Sequence, residues 1–362
     1  MHCNTLFILF LASAVVDLPL PAAGMPTPSC LADPSCGPVP GESSIYSNFS
    51  SIEPPWPGNT TGAVMNTTGG LPGPDDMLFQ NLLAAEWIIF SFYQQGVEKF
   101  NESVFVAAGF PNTTYDRIRE IRNNEAGHLR IFQDQISSNS VKPGPCKYAY
   151  PFTDVTSFLA LQTLIEVSSM AFLTGLELQA KSTLSRGALV AISSTETRHN
   201  TWSLIDNWKT NPFAGPSDTF FPYANQVLDY TREWVIEGSC PPQNPAYPFP
   251  NQDLPQISPK NGTLKTLMPG SDLTLEFYGG ADPLCFDQDQ DYFAVFFHGV
   301  LNVSVPFDTV SKTTTIPAAL EPKGIFALVI ATVMGAPTAE SVVAGPLILL
   351  EDPQSLGLMI LS

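Results

Sequence analysis

The sequence predicts an α+β multidomain protein in which a four-helix bundle is followed by a small β-sandwich. Apolar residues recur at helical spacing over four long segments between residues 75 and 208, as in helices that bury one face. Between residues 254 and 352 the apolar period falls to two, and Gly, Pro and Asp turns separate the segments, as in short strands. We therefore expect a helical bundle over residues 75–245 and a β-sandwich domain over residues 254–352.

The N-terminal region predicts a secreted protein. Residues 1–24 combine a short apolar stretch with a small-residue region, as in a signal peptide. Asp17, Pro19 and Pro21 interrupt that stretch too early for an integral membrane anchor. Residues 25–74 are rich in Pro, Gly, Ser and Thr and predict an extended, glycosylated linker. N-x-S/T acceptor triplets begin at Asn48, Asn59, Asn66, Asn101, Asn112, Asn261 and Asn302. The expected localisation is extracellular or in the cell wall.

The charge balance restricts the expected partners. The chain has 362 residues, only 14% of them charged, and a formal net charge of −18. Because nucleic-acid binding needs a basic face, no nucleic acid is expected as a partner. An anionic membrane surface is excluded as a partner for the same reason.

The cysteines predict disulfides. Cys3 would leave with the signal peptide, and the remaining cysteines form no C-x-x-C metal or redox motif. In an oxidising compartment they are expected to pair. Cys30 with Cys36 is a local pair, whereas Cys146 with Cys240 would join two Pro-rich loops at the ends of a helical segment. Cys285 would then be left without a partner.

The helical segments have the lengths of bundle helices. They cover residues 75–100, 113–137, 154–180 and 183–208, and a shorter fifth helix is predicted over residues 223–238. Asp or Thr at the start of the first three fits helix capping, and the short connections favour an antiparallel bundle. Predicted strands cover residues 273–279, 292–307, 312–317, 324–332 and 342–351.

Two Glu-x-x-His motifs carry the chemistry. Glu125 and His128 lie on the second predicted helix, and Glu196 and His199 lie on the fourth. The spacing of three places both side chains of each pair on one helix face, where they can bind one ion. The first and third helices each carry a single glutamate at the centre of the apolar stripe, Glu86 and Glu166. This order is typical of the di-iron or di-manganese sites of ferritin-like bundles.

The charge of these residues supports a metal site. Four buried carboxylates without compensation would each cost several kcal/mol, whereas two divalent cations would balance four negative charges. In the alternative interpretation, one or two of these glutamates lie at helix edges in water, paired with Arg122 or Arg198.

Two further residues were considered as site residues. Tyr93 shares the stripe of Glu86 and is a candidate catalytic residue that relays electrons. The alternative is a core tyrosine whose hydroxyl is hydrogen-bonded. His298 lies in an apolar strand segment and is expected to be structural.

The chain resembles the fungal secreted ferritin-like domain family, whose members are often labelled stress-response proteins. The matching stretches include "LLAAEWIIFSFYQQG", "IREIRNNEAGHLRIF", "FLALQTLIEVSSMAFLTG" and "AISSTETRHNTW". The resemblance implies a ferritin-like four-helix bundle and ligand roles for Glu86, Glu125, His128, Glu166, Glu196 and His199. The chain departs from the family pattern at Trp87 and Phe172, neither of which is a predicted ligand.

Three functions follow from this interpretation. The first is redox chemistry dependent on O₂ or peroxide at two Fe or Mn ions, with a small-molecule substrate and a possible stress role. The second is a non-enzymatic extracellular or cell-surface interaction protein with a structural or vestigial metal site. The third is iron storage in a cage, which a β domain and a 50-residue arm would obstruct.

Overall fold

The computed structural model describes residues 62–213, 215–260, 269–280, 284–320 and 325–350, without the side chains of residues 325 and 326. The predicted signal peptide, the Cys30–Cys36 pair and the linker up to residue 61 lie outside these residues, as do the acceptors Asn48, Asn59 and Asn261. The end of the predicted linker is tied to the loop after the second long helix, because Val64 and Lys142 form an antiparallel bridge.

Four long helices form the bundle in the part of the chain that the structure describes. In chain order the α-helices are α1 (Asp76–Lys99), α2 (Glu102–Ala107), α3 (Thr114–Gln135), α4 (Val155–Glu177), α5 (Thr183–Trp202) and α6 (Ala224–Thr231). A π-helical turn, Ser203–Asn207, continues α5, and a 3₁₀ turn, Arg232–Trp234, follows α6. The long helices α1, α3, α4 and α5 correspond to the four predicted bundle helices.

The predicted fifth helix over residues 223–238 is too long. α6 ends at Thr231 because the chain after it pairs with the segment that precedes α4. Ala149 N donates to Trp234 O, and Ile236 N donates to Lys147 O. The backbone groups that a longer helix would pair internally are therefore used in tertiary hydrogen bonds.

Local signals explain where two of the long helices begin. Asp154 and Ser157 form a capping box at the start of α4, and the Ser182 side chain accepts a hydrogen bond from Ser185 N at the start of α5. Among the described helices, α4 is long and apolar enough to cross a membrane. However, 83% of its most apolar 18-residue stretch is buried inside the protein. It is the central core helix of the bundle.

The C-terminal region forms two antiparallel sheets. One has the order β1–β2–β5 and the other β4–β3–β6–β7. Their strands are β1 (Gln256–Pro259), β2 (Asp272–Tyr278), β3 (Phe293–His298), β4 (Leu301–Pro306), β5 (Thr313–Thr315), β6 (Ile325–Ala331) and β7 (Val342–Leu350). β1 was not predicted from the sequence. With a helical bundle followed by antiparallel sheets, the predicted α+β fold class is confirmed.

The four-stranded sheet is buried on both faces. In β3, Ala294 and Phe296 pack between the two sheets, whereas Val295 and Phe297 pack in the core cluster that contains the bundle residues. Leu328 in β6 belongs likewise to the inter-sheet core. Successive strand residues point to opposite faces. The consecutive apolar residues of β3 therefore fill both cores, one on each face of the sheet. The sheet and the bundle thus share one continuous core.

The predicted disulfide between Cys146 and Cys240 is confirmed. It joins residues 94 positions apart, and closing a loop of that length stabilises a fold by about 4–5 kcal/mol in the chain-entropy model. Cys285 is exposed and forms no disulfide with another cysteine of the described residues.

A buried carboxylate fixes the start of α1. Asp76 is 2% exposed. Its Oδ1 accepts from Ser137 N at 2.8 Å, and its Oδ2 accepts from Gly73 N and from the hydroxyls of Ser137 and Ser140 at 2.5–2.7 Å. Burial opposes ionisation, but these hydrogen bonds together lower the pKa of Asp76 below 3.8. The carboxylate therefore joins the N-terminus of α1 to the loop after α3.

Replacing Asp76 with asparagine should destabilise the protein by about 2–3 kcal/mol near pH 7, because an amide N–H₂ would face the donors that Oδ2 now accepts from. A depressed carboxyl pKa contributes stability that is present above the unfolded value of 3.8 and is lost as the pH falls through the lower folded-state pKa. The difference between D76N and the wild type should therefore narrow as the pH falls below 3.8, as measured by urea unfolding across the pH range.

The control is Asp116→Asn, because Asp116 forms an exposed ion pair with Arg119 on α3, and such pairs contribute only about 0.2–1 kcal/mol. Equal stability of D76N and D116N near pH 7 would contradict the role assigned to Asp76.

Candidate metal centre

The structure brings all six predicted ligand residues together at the middle of the bundle. α1 supplies Glu86, α3 supplies Glu125 and His128, α4 supplies Glu166, and α5 supplies Glu196 and His199. None of the six is more than 6% exposed. The alternative in which some of these glutamates face water at helix edges is therefore wrong.

One group of donors surrounds His128. Its Nδ1 lies 2.9 Å from Glu125 Oε2, 3.2 Å from Glu196 Oε1 and 3.5 Å from Glu86 Oε1. The carboxylates come from three different helices, so the imidazole nitrogen faces a converging set of oxygens. Glu86, Glu125 and His128 have ligand atoms close enough to hold one cation.

A second group surrounds His199. Its Nδ1 lies 3.2 Å from Glu125 Oε1, 3.2 Å from Glu166 Oε2 and 3.8 Å from Glu196 Oε2. The ligand atoms of Glu125, Glu166, Glu196 and His199 all lie within 4.8 Å of one another. Glu125 belongs to both groups, and Glu196 approaches both histidines. The two Glu-x-x-His glutamates therefore lie between the two candidate ion positions.

The unsatisfied oxygens at this centre fit a pair of metal ions. Glu86 Oε1, Glu125 Oε1 and Glu196 Oε2 are buried and make no hydrogen bond with acceptable geometry. A buried polar atom without a partner is costly and rare. Carboxylate and imidazole donors suit iron and manganese, so these residues could bind metal ions of that kind.

Asn124 orients one of the histidines. His199 Nε2 lies 3.1 Å from Asn124 Oδ1. When Nε2 carries the proton and donates to Asn124, the lone pair of Nδ1 points at the carboxylates, as a metal ligand requires. Sequence reasoning missed Asn124, although it immediately precedes Glu125 in the motif.

Without metal, protons replace the cations. Burial and the charge of Glu125 raise the pKa of Glu86, and burial together with Glu125 and Glu166 raises the pKa of Glu196. Burial opposes charging of the imidazoles, but Glu166 and Glu125 raise the pKa of His199 to about 9, and Glu125 also raises that of His128. Metal ions would therefore displace protons from this centre.

Tyr93 contacts the centre directly. It is fully buried, and its hydroxyl donates a short hydrogen bond to Glu166 Oε1. Burial and the charge of Glu166 raise the pKa of Tyr93 well above its usual value. The phenol therefore keeps its proton and acts as a hydrogen-bond donor to Glu166.

A buried polar network extends from the Tyr93 side of the centre. Gln162 lies one helical turn before Glu166, and its Oε1 accepts from Ser203 Oγ at 2.7 Å. Ser203 in turn lies 2.9 Å from Thr163 Oγ1, which accepts from the Trp208 indole N–H at 2.9 Å. The polar residue Gln162 on the apolar stripe of α4 is the sequence signal that could have identified this network.

The other residues named from the sequence belong to neither donor group. His298 is at the end of β3, where it is buried. The Trp87 indole N–H donates to Pro143 O at 2.9 Å. Phe172 is buried in the bundle core. Arg198 donates to Thr195 Oγ1, and Arg122 donates to Gln94 and Asn123.

The two donor groups predict how metal binding responds to substitution. Glu125→Gln should lower the metal content furthest, because Glu125 belongs to both groups, whereas Glu166→Gln should reduce it from two ions per chain towards one. Glu120→Gln is the matched control, because Glu120 is exposed on α3 and pairs with Arg117. Elemental analysis of the folded variants measures the content. Equal metal content in E125Q and E120Q would contradict the site.

Comparisons with known proteins agree with this geometry. Residues 75–205 match the family model of the ferritin-like domain. A comparison with curated proteins finds no match. The matched segment begins at the first bundle helix and ends just after His199, so it contains all six candidate ligands. The match supports a ferritin-like assignment for the helical region, whose buried Glu/His cluster could bind metal.

Proposed function

We propose that this protein is a di-metal carboxylate protein that carries out redox chemistry dependent on O₂ or peroxide. The observation that carries the proposal is the pair of donor groups that share Glu125 at the centre of four helices. Two bound Fe or Mn ions would supply the electrons for the reduction of O₂ or peroxide.

The six candidate ligands form two sets, one for each metal ion. Glu86, Glu125 and His128 would hold one, and Glu166, Glu196 and His199 would hold the other together with Glu125. Because each ion is held by more than one helix, the packing of the bundle fixes the donors before metal arrives. Such preorganisation lowers the reorganisation needed during reaction.

Tyr93 is proposed to orient Glu166 and to relay an electron to the ion that Glu166 would bind. Its hydroxyl is the donor to Glu166, and its ring is fully buried next to Phe92 and Phe158. A phenol excluded from water keeps its proton and cannot exchange it freely with solvent. The network through Gln162 and Ser203 lies on the same side of the centre.

Oxygen uptake tests the proposal. Chelator-treated full-length protein, reloaded with Fe²⁺ without air, should consume O₂ on mixing, whereas E166Q should not. Tyr93→Phe should keep its metal but slow the uptake by about 10–100-fold, as for other residues that orient metal ligands. Tyr115→Phe is the control, because within the described residues the Tyr115 hydroxyl hydrogen-bonds to Val97 O, at 3.5 Å, and not to the donor groups.

Two outcomes would contradict this account separately. Equal rates in Y93F and Y115F would remove the role of Tyr93. A wild-type protein that holds two ions and consumes neither O₂ nor peroxide would overturn the redox function and favour a non-enzymatic protein with a structural metal site.

We also propose that the protein is secreted and glycosylated. The acceptor asparagines in the described residues, Asn66, Asn101, Asn112 and Asn302, are all exposed. The Cys146–Cys240 disulfide fits an oxidising compartment. A role in stress would be consistent with the handling of O₂ or peroxide outside the cell.

Intact-mass analysis of the protein made by its native host tests this localisation. The mature chain should begin near Met25 and lose mass on treatment with an N-glycosidase. A chain that retains Met1 and carries no sugar would contradict secretion.

A further inference from the structure

A cavity of about 140 Å³ lies between the bundle and the β region and reaches the metal centre. Glu86 and Glu196 line it at the buried end, where they are 6% and 3% exposed. Tyr278, which is 45% exposed, lines it as well. The cavity therefore connects the carboxylates at the centre of the bundle with a side chain at the surface.

Most of the wall is apolar. α1 contributes Leu82 and Ile89, α4 contributes Phe172, and β7 contributes the segment from Pro346 to Leu350. Apolar walls around a volume of this size can bind small molecules such as benzene. A polar or charged ligand would find few partners on these walls, and its desolvation would be costly.

The cavity reaches one carboxylate of each donor group. Glu86 belongs to the group around His128, and Glu196 belongs to the group around His199 and also lies 3.2 Å from His128 Nδ1. Glu166, His199 and Tyr93 are absent from the described lining. An occupant would therefore lie beside Glu86 and Glu196 and out of contact with Tyr93.

We propose that this cavity is the substrate site of the metal centre and that it takes a small, uncharged, apolar organic molecule. The volume corresponds to about six to eight non-hydrogen atoms, such as one aromatic ring or a short branched chain. That the bound molecule is a substrate rests on the function proposed above, whereas its binding rests on the cavity alone. The proposal also gives the β region a role, because β1, β2 and β7 close one wall.

Benzene is the probe for this site. The metal-free, full-length protein should bind benzene with a Kd on the order of 0.1–1 mM, measured by calorimetry. Ser168→Phe, on the α4 wall, should weaken binding at least about tenfold, because its ring fills the volume that benzene needs. Ser194→Phe makes the same change at an exposed position on α5 and should leave binding within about twofold.

A second variant and a second readout keep the test decisive. Ile348→Trp fills the cavity from β7 and should give the same loss if S168F fails to fold. In protein loaded with Mn²⁺, the proton relaxation of bound benzene should be faster than in metal-free protein, because the cavity reaches Glu86 and Glu196. If bound benzene relaxes no faster in the Mn²⁺-loaded protein than in the metal-free protein, the placement of the cavity beside the metal is wrong.

The outcomes separate the two proposals. Protein that holds two metal ions but binds no benzene, or that binds it equally well in S168F and S194F, overturns the cavity site and leaves the metal function. Protein that binds benzene but takes up no metal overturns the proposed function, and with it the role of the occupant as a substrate.

Discussion

The compensation of buried negative charge at the centre of the bundle is the constraint on which the rest of the structure depends. Four glutamates lie between four helices, none more than 6% exposed. Two histidines approach them, and no carboxylate-to-arginine or carboxylate-to-lysine ion pair is found at these glutamates among the described residues. Such a cluster persists in a folded chain only with protons or cations to balance it. The helix lengths, caps and register serve to keep these donors converged.

The two sides of the centre differ in chemical character. On the side of Glu166 and His199, Tyr93 and Gln162 begin a buried network of hydroxyl and amide groups. At Glu86 and Glu196, an apolar cavity extends to the β region. In such a centre, protons would move through the polar network, and an organic molecule would enter through the apolar cavity. α4 contributes to both, because Gln162 belongs to the network and Phe172 lines the cavity.

Much of the bundle could be predicted from the sequence because its signals are local. The spacing of three between Glu125 and His128 places both on one face, and Glu86 interrupts an apolar stripe at its centre. The Cys146–Cys240 pairing was predictable from the loops at the ends of the helical segment. β1 was missed because its four residues are too few to establish a period of two.

The arrangement of the donors could not be predicted in the same way. That Glu125 serves both groups depends on the relative positions of α1, α3, α4 and α5, which no single segment encodes. The cavity depends on the packing of β7 against α4, where residues far apart in the chain, such as Val167 and Leu350, share one hydrophobic cluster. The shortening of the fifth helix likewise follows from a tertiary pairing, between Tyr148 and Val235. Local propensity gives no information on such contacts.

The most direct test of the central claim is electron paramagnetic resonance of the full-length protein after stepwise loading with Mn²⁺. Because Glu125 and Glu196 lie between the two donor groups, the account predicts two ions per chain whose spins are coupled through shared carboxylates. The spectrum at full loading should show a many-line pattern from an exchange-coupled pair. A six-line spectrum of isolated ions at full loading, or saturation at one ion per chain, would contradict the account.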